Sequence, residues 1–309
     1  MKWTAEQIPD LEGKTVIVTG ANSGLGFEAV KKFAEKNAEV VMACRTLEKA
    51  EKARRDIKEE LEDPNLELME IDLADLETVK EFAEEFRENH DSLDILCNNA
   101  GLMAIPRRET VDGFEMQLGV NHLGHFALTG HLIDMLIESE GRIVNQSSMA
   151  HEGSEIDFDD LMSEESYSKW GAYGQSKLAN LLFTYELDRK LKDIDADVEA
   201  VGCHPGVSDT NLFRKGPEMT NSKIKEKLGG FFSQIIGQSA EKGALPMLYA
   251  ATEDLEGGEY IGPGGLLSMR GLPEKQESSE ASHNKRSQEK LWKRSEELTG
   301  VEYRMAHLN

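Results

Sequence analysis

Short, unbroken runs of β-branched and apolar residues alternate along the chain with longer stretches in which apolar residues recur every three or four positions. Thr15 to Thr19 is the first run and Gly20 ends it; behind it Phe27, Val30, Phe33 and Ala34 fall on one helical face. The segment therefore reads as strand, turn and helix. Glu39 to Cys44 predicts a second strand with a charged helix over 47–61, and Leu66 to Ile71 a third, with a helix carrying Leu76, Val79, Phe82 and Phe86. Leu93 to Cys97 is the fourth predicted strand. A long helical stretch with Phe114, Leu118, Leu123, Phe126, Leu128 and Leu132 leads to a fifth at Arg142 to Gln146, and a helix over about 172–191 leads to a sixth at Asp197 to Gly202.

Runs without polar alternation imply strands covered on both faces, and strands separated by helices imply parallel pairing through right-handed crossovers. The predicted fold is α/β: a single doubly wound Rossmann-type domain with a parallel sheet and helices on both faces. Ligands of such sheets lie beyond the carboxyl ends of the strands. Two segments break the rhythm. One is an acidic loop at 149–169; the other is a long connection at 207–238, with an apolar patch at Leu228, Phe231, Phe232, Ile235 and Ile236, where a substrate loop is expected. The domain is expected to span 1–275. Residues 276–309 then form a charged tail whose one short helix, at about 288–298, either packs on the body or stays solvated.

Charge narrows the partners. Across 309 residues, 58 Asp plus Glu outweigh 35 Lys plus Arg, a formal charge of −23. So acidic a surface repels phosphate backbones and anionic headgroups, which argues against nucleic acid as a partner. Apolar runs are only a few residues long and none follows the N-terminal Met1 and Lys2. Neither a membrane span nor a signal peptide is expected, and the chain reads as cytoplasmic. Cys44, Cys97 and Cys203 are odd in number, show no Cys-x-x-Cys spacing and sit in or beside apolar runs, as reduced, buried thiols do.

Thr19-Gly20-Ala21-Asn22-Ser23-Gly24-Leu25-Gly26 joins the first strand to the first helix. Glycine there lets the backbone turn sharply against a pyrophosphate, which the free N–H groups and dipole of the helix start then hold. The second strand ends Ala43-Cys44-Arg45. No carboxylate stands there to accept from an NAD ribose, whereas the Arg45 fork suits a 2′-phosphate, so NADP(H) is favoured over NAD(H). Tyr173 and Lys177 stand four residues apart on one predicted helical face; a cation near a phenol favours phenolate, which makes Tyr173 a candidate general acid or base. His122 and His125 share a helix face but lack a third ligand at a recognisable spacing, and Cys203 and His204 point to opposite sides of a strand. No metal and no thiol chemistry is expected. His151 follows the fifth strand, facing either substrate or solvent.

Together these residues resemble the short-chain dehydrogenase/reductase family over about 11–265. The glycine motif, Asn98-Asn99-Ala100-Gly101, Ser148, the Tyr173/Lys177 pair and Pro205-Gly206 occur in that family's order. The resemblance implies that Ser148 positions the substrate oxygen, Tyr173 exchanges the proton, Lys177 holds the nicotinamide ribose while lowering the tyrosine pKa, and Asn121 supports a proton-relay water. By the same carry-over Asp72 and Leu73 flank the adenine, Asn99, Ala100 and Gly101 line the cofactor, and Val207 and Thr210 join Pro205 and Gly206 at the nicotinamide end. Ser147 competes with Ser148; the choice of Ser148 rests on its place three residues after Asn145. Val120-Asn121-His122-Leu123-Gly124-His125-Phe126 and Ser176-Lys177-Leu178-Ala179-Asn180 are similar to the retinol dehydrogenase and protochlorophyllide reductase-like branch. The implied activity is NADP(H)-dependent interconversion of a small-molecule alcohol and a carbonyl, with the apolar loop patch hinting at a hydrophobic substrate. The alternatives are protochlorophyllide reductase-like photochemistry and a non-enzymatic NADP-sensing protein. The apolar faces around Asn121 and Tyr173 suit either a homodimer's helix bundle, the favoured reading, or the chain's own core.

Excess acid is also an adaptation to high salt, which screens the self-repulsion of the folded state, although Lys (22) outnumbers Arg (13) here. If the charge serves that end, the unfolding midpoint rises between low salt and molar KCl; an unchanged midpoint removes the idea.

Overall fold

The computed structural model describes residues 3–206, 239–265, 268, 270–303 and 305. Among these residues eight strands form one sheet: β1 (Thr15–Thr19), β2 (Glu39–Cys44), β3 (Leu66–Glu70), β4 (Ile95–Asn98), β5 (Arg142–Gln146), β6 (Glu199–Cys203), β7 (Tyr260–Pro263) and β8 (Pro273–Gln276), in the order β3-β2-β1-β4-β5-β6-β7-β8. All neighbours pair in parallel except β7 and β8. The order reverses between β1 and β4, so the crossovers on either side leave in opposite directions and open a crevice at the carboxyl edge.

Successive residues of β1 show why the runs lack polar positions. Val16 and Val18 pack with Val30, Phe33, Met42 and Leu248 on one face. Ile17 packs with Phe82, Phe86, Phe126 and Leu187 on the other. The helices α1 (Gly24–Ala34) and α7 (Ala240–Thr252) cover the first face; α3 (Leu76–Asn89), α5 (Gly124–Glu138) and α6 (Lys169–Asp193) contribute to the second. Phe33, Phe82, Phe86 and Phe126 are wholly enclosed, and truncating any one to Ala costs about 3–5 kcal/mol.

The charged helix α2 (Leu47–Glu60) forms as the spacing predicts, while β4 and β6 begin two residues later than expected. Before β4 the Asp94 carboxylate accepts the Thr15 N–H at 2.9 Å, so the ladder with β1 starts only at Ile95. The long helix expected around 114–132 is interrupted. A single turn α4 (Met116–Leu118) passes into a π-turn at Gly119–Leu123 before α5 begins. Helix α6 is capped by the Ser168 hydroxyl, which accepts from Gly171 N–H, and it is buried nearly all round between Ala172 and Asp188.

The described C-terminal residues pack on the body. Gln276 ends β8, and α8 (Lys285–Thr299) starts on an Asn284 side-chain cap and stops at Gly300, whose φ is +68°. Leu291 and Trp292 of α8 are buried, with Trp292 among Phe126, Phe183 and Tyr303. The chain thus supplies its own cover for this face of α6. Among the described residues no helix is long and apolar enough to cross a membrane.

His122, His125 and His204 are fully enclosed, and burial pushes their pKa values down to about 3, 4 and 4. The unfolded chain protonates these rings near pH 6.5, whereas the folded chain does not until about pH 4 for His125 and His204 and about pH 3 for His122. Their contribution is therefore present above the unfolded value and is lost as the pH falls through that window, on the order of 1 kcal/mol per histidine per pH unit. Urea midpoints should drop from about pH 7 to about pH 5; a flat profile contradicts this account.

Candidate active site

Strand β1 delivers Thr19 to the carboxyl edge, and its hydroxyl ties three segments together. It accepts the Asn99 and Ala100 N–H groups, both at 2.9 Å, and lies 2.9 Å from His125 Nε2. Because His125 Nδ1 faces the Asn121 carbonyl at 3.1 Å, that nitrogen carries the proton, and neutral Nε2 accepts from Thr19. Asn99 Nδ2 donates back to Thr19 O at 2.7 Å. The glycine turn is equally constrained. Gly20 and Gly24 have φ of +69° and +58°, and a Cβ on Gly26 would stand 2.5 Å from Gly20 O and 2.7 Å from Asn99 Nδ2.

The turn leaves the start of α1 open. Ser23 is exposed and makes no side-chain cap, while Asn22, Gly24 and Leu25 are half-buried at the same edge. Arg45 follows β2 directly, is exposed, and has no ion-pair partner among the described residues. Its neighbour Cys44 lies against the backbone of Ala21 and Asn22, and burial raises that thiol to about 11. Beyond β3, Asp72 accepts the Ala74 N–H at 3.0 Å, and Leu73 is buried against the close approach of Gly124.

At the other end of the crevice the π-turn aims Asn121 inward. Its Oδ1 accepts Leu102 N–H at 2.7 Å, while Nδ2 donates to Leu102 O and to Ser176 Oγ, each at 2.9 Å. Lys177 is buried with its Nζ donating to Gln146 O at 3.0 Å. A Cβ on Gly101 would come within 3.0 Å of Asn121 Oδ1 and 3.4 Å of that Nζ. Burial pushes the Lys177 ammonium down to about 8.

Tyr173 is also buried. Burial raises its phenol above the ordinary value, and the neighbouring Ser148 hydroxyl acts in the opposite sense. The lowering expected from Lys177 does not dominate: Nζ lies 5.9 Å from the ring centroid and is engaged by the Gln146 carbonyl. The two serines separate cleanly. Ser147 Oγ is spent on Lys177 O at 2.8 Å, whereas half-buried Ser148 caps the turn at Met149–His151 beside Tyr173.

Pro205 and Gly206 follow β6 at the same edge, with Gly206 at φ +85°. Val207, Thr210 and the loop expected at 207–238 lie outside the described residues. His122 and His125 are occupied by Ser295 on one side and by Thr19 and Asn121 on the other. The Cys203 thiol donates to Gln146 Oε1 at 3.1 Å and is pushed up by burial. Gln146, Ser176 and His125, which hold the reactive groups, were not singled out for that work by the motif spacing.

A family model described as short chain dehydrogenase matches residues 14–221. Retinol dehydrogenase 13 of Homo sapiens is 41% identical over 297 residues, covering 94% of this chain and 86% of that protein. Retinol dehydrogenase 12 of Mus musculus is 39% identical over 304 residues, covering 97% and 90%. A crystal structure of a Mycobacterium paratuberculosis protein superposes with a TM-score of 0.82 at 38% identity, covering 99% of this chain and 100% of that one. A chain described as a short chain dehydrogenase from Shigella flexneri, crystallised with NADP, shares the fold at a TM-score of 0.59 and 21% identity, covering 82% and 98%. The chain belongs to the short chain dehydrogenase family, in its retinol dehydrogenase-like branch.

Proposed function

We propose that this oxidoreductase interconverts an alcohol and a carbonyl with NADP(H), using Tyr173 as general acid and base. One observation carries the reading: the Ser148 hydroxyl stands beside the Tyr173 phenol, with the Lys177 ammonium one helical turn along the same helix. The glycine turn, with its uncapped helix start, has the donors a pyrophosphate needs, and exposed Arg45 beside it has the charge a 2′-phosphate needs. Asn99 and Ala100 stand against that turn and Gly101 against Lys177, which supports their lining the cofactor, with Asp72 and Leu73 beyond β3 assigned to the adenine end.

Bound NADPH supplies a hydride to the carbonyl carbon; the protein's part is to orient the oxygen and give it a proton. Ser148 donates a hydrogen bond to that oxygen. Tyr173 transfers its phenolic proton to it, a direction suited to a phenol that burial keeps protonated at neutral pH. Lys177 stabilises the phenolate left behind and holds the ribose, and Asn121 keeps the loop at Leu102 in place. Oxidation of an alcohol runs the same transfers backward.

Tyr173→Phe removes the proton donor and little else. Turnover of a panel of aldehydes and ketones, followed by NADPH absorbance, should fall by about 10²–10⁴-fold, with NADPH binding by fluorescence titration nearly unchanged; retained turnover rejects the role. Arg45→Ala should weaken NADPH by about tenfold or more, as loss of a charge-assisted contact does, and leave NADH where it was. Equal loss for both dinucleotides would remove Arg45 from cofactor selection.

A further inference from the structure

Three buried imidazoles each adjoin a residue of the candidate site, and each bonds to the C-terminal segment 276–299. His151 follows Ser148 by three positions, His204 precedes Pro205, and His122 follows Asn121; each is at most 1% exposed. His151 Nδ1 lies 2.6 Å from Ser148 O, which only accepts, so Nδ1 carries the proton and Nε2 accepts the Ser279 N–H at 3.1 Å. His204 is set the other way round. Gly206 N–H donates to its Nδ1 at 3.2 Å, and its Nε2–H donates to Gln276 Oε1 at 2.9 Å. His122 Nε2 meets Ser295 Oγ at 2.8 Å.

The segment is itself referenced to α6, the helix that carries Tyr173 and Lys177. Ser278 Oγ bonds the Tyr185 hydroxyl at 2.6 Å and Ser282 Oγ at 2.7 Å, and Gln288 Nε2 donates to Ser282 O at 2.8 Å. An imidazole enclosed only to fill space costs desolvation that Leu or Phe would avoid. Two of these rings instead use both nitrogens, one toward the site and one toward the C-terminal segment.

We propose that residues 276–299 act as an active-site clasp, and that His151 and His204 are positioning residues through which it holds Ser148 and the Gly206 turn in register with α6, with His122 fastened to the same segment through Ser295 alone. None of the three touches the reacting atoms. The rings serve as neutral relays, each with a defined donor side in His151 and His204, and burial keeps all three below the ordinary histidine range. The catalytic half of this inference rests on the oxidoreductase reading above; the structural half does not.

Ser279 has φ −57°, which a proline ring adopts, so Ser279→Pro in the full-length protein removes the one N–H that His151 accepts. The expected result is a fall in kcat of about tenfold or more from a misplaced Ser148, with the KM for NADPH unchanged. Amide exchange should accelerate at 147–152 and stay as in the wild type over β1 and β2. The exchange measurement needs no turnover, so an inactive wild type counts against the proposed function and leaves the clasp to be judged on exchange. Wild-type kcat with wild-type exchange at 147–152 overturns the clasp, as does acceleration spread evenly over the sheet. Should Ser279→Pro not fold, His151→Asn, which keeps a donor near Ser148 O and loses the acceptor for Ser279, is read by the same two measurements.

Discussion

Burying the Lys177 ammonium is costly, and much of the site is arranged around meeting that cost. An ammonium removed from water needs an oxygen in compensation, and the Gln146 carbonyl at the end of β5 provides one. That carbonyl also accepts from Asn180, so two residues of α6 are drawn to the same strand end. The contact sets the height of α6 against the sheet. Tyr173, one turn earlier, is thereby delivered beside Ser148. Gly101 completes the fit, because any side chain there would crowd both Asn121 and the ammonium.

A second constraint acts from the far side of the crevice. The π-turn at Gly119–Leu123 inserts an extra residue into what would otherwise be one helix, and wide turns of this kind free backbone groups for other partners. Here the Asn121 carbonyl is taken by the His125 ring, which reaches on to Thr19 at the end of β1. The cofactor-side turn and the catalytic side are therefore joined through buried, neutral groups. Such networks hold a single arrangement because leaving any member unpaired is expensive at low dielectric. The C-terminal segment repeats the device with His151 and His204.

Most of the sheet was legible in the order of residues. Parallel strands covered on both faces leave continuous apolar runs, and β1 to β6 all announce themselves that way. Of the elements after β6, the helix α8 was legible in its periodicity, whereas α7, β7 and β8 were not. Helix α7 carries Pro246 in its interior, and β7 and β8 are four residues each, too short for periodicity to register. The π-turn was hidden for a different reason: inserting one residue into an apolar helical pattern leaves that pattern almost unchanged. Within the site, the glycine turn and the Tyr173/Lys177 spacing were readable because backbone sterics and helical geometry restrict them locally.

Chain order by itself determined the α/β alternation, the glycine turn at the crevice and the pairing of a phenol with an ammonium on one helix, since each depends on neighbours within a few residues. Only the tertiary structure decided that Ser148 rather than Ser147 faces the phenol, that burial raises the Tyr173 phenol, and that residues 276–299 bond to histidines beside the site. These outcomes depend on which groups from distant segments are packed together out of water, and desolvation and hydrogen-bond pairing are properties of that packing, not of spacing along the chain.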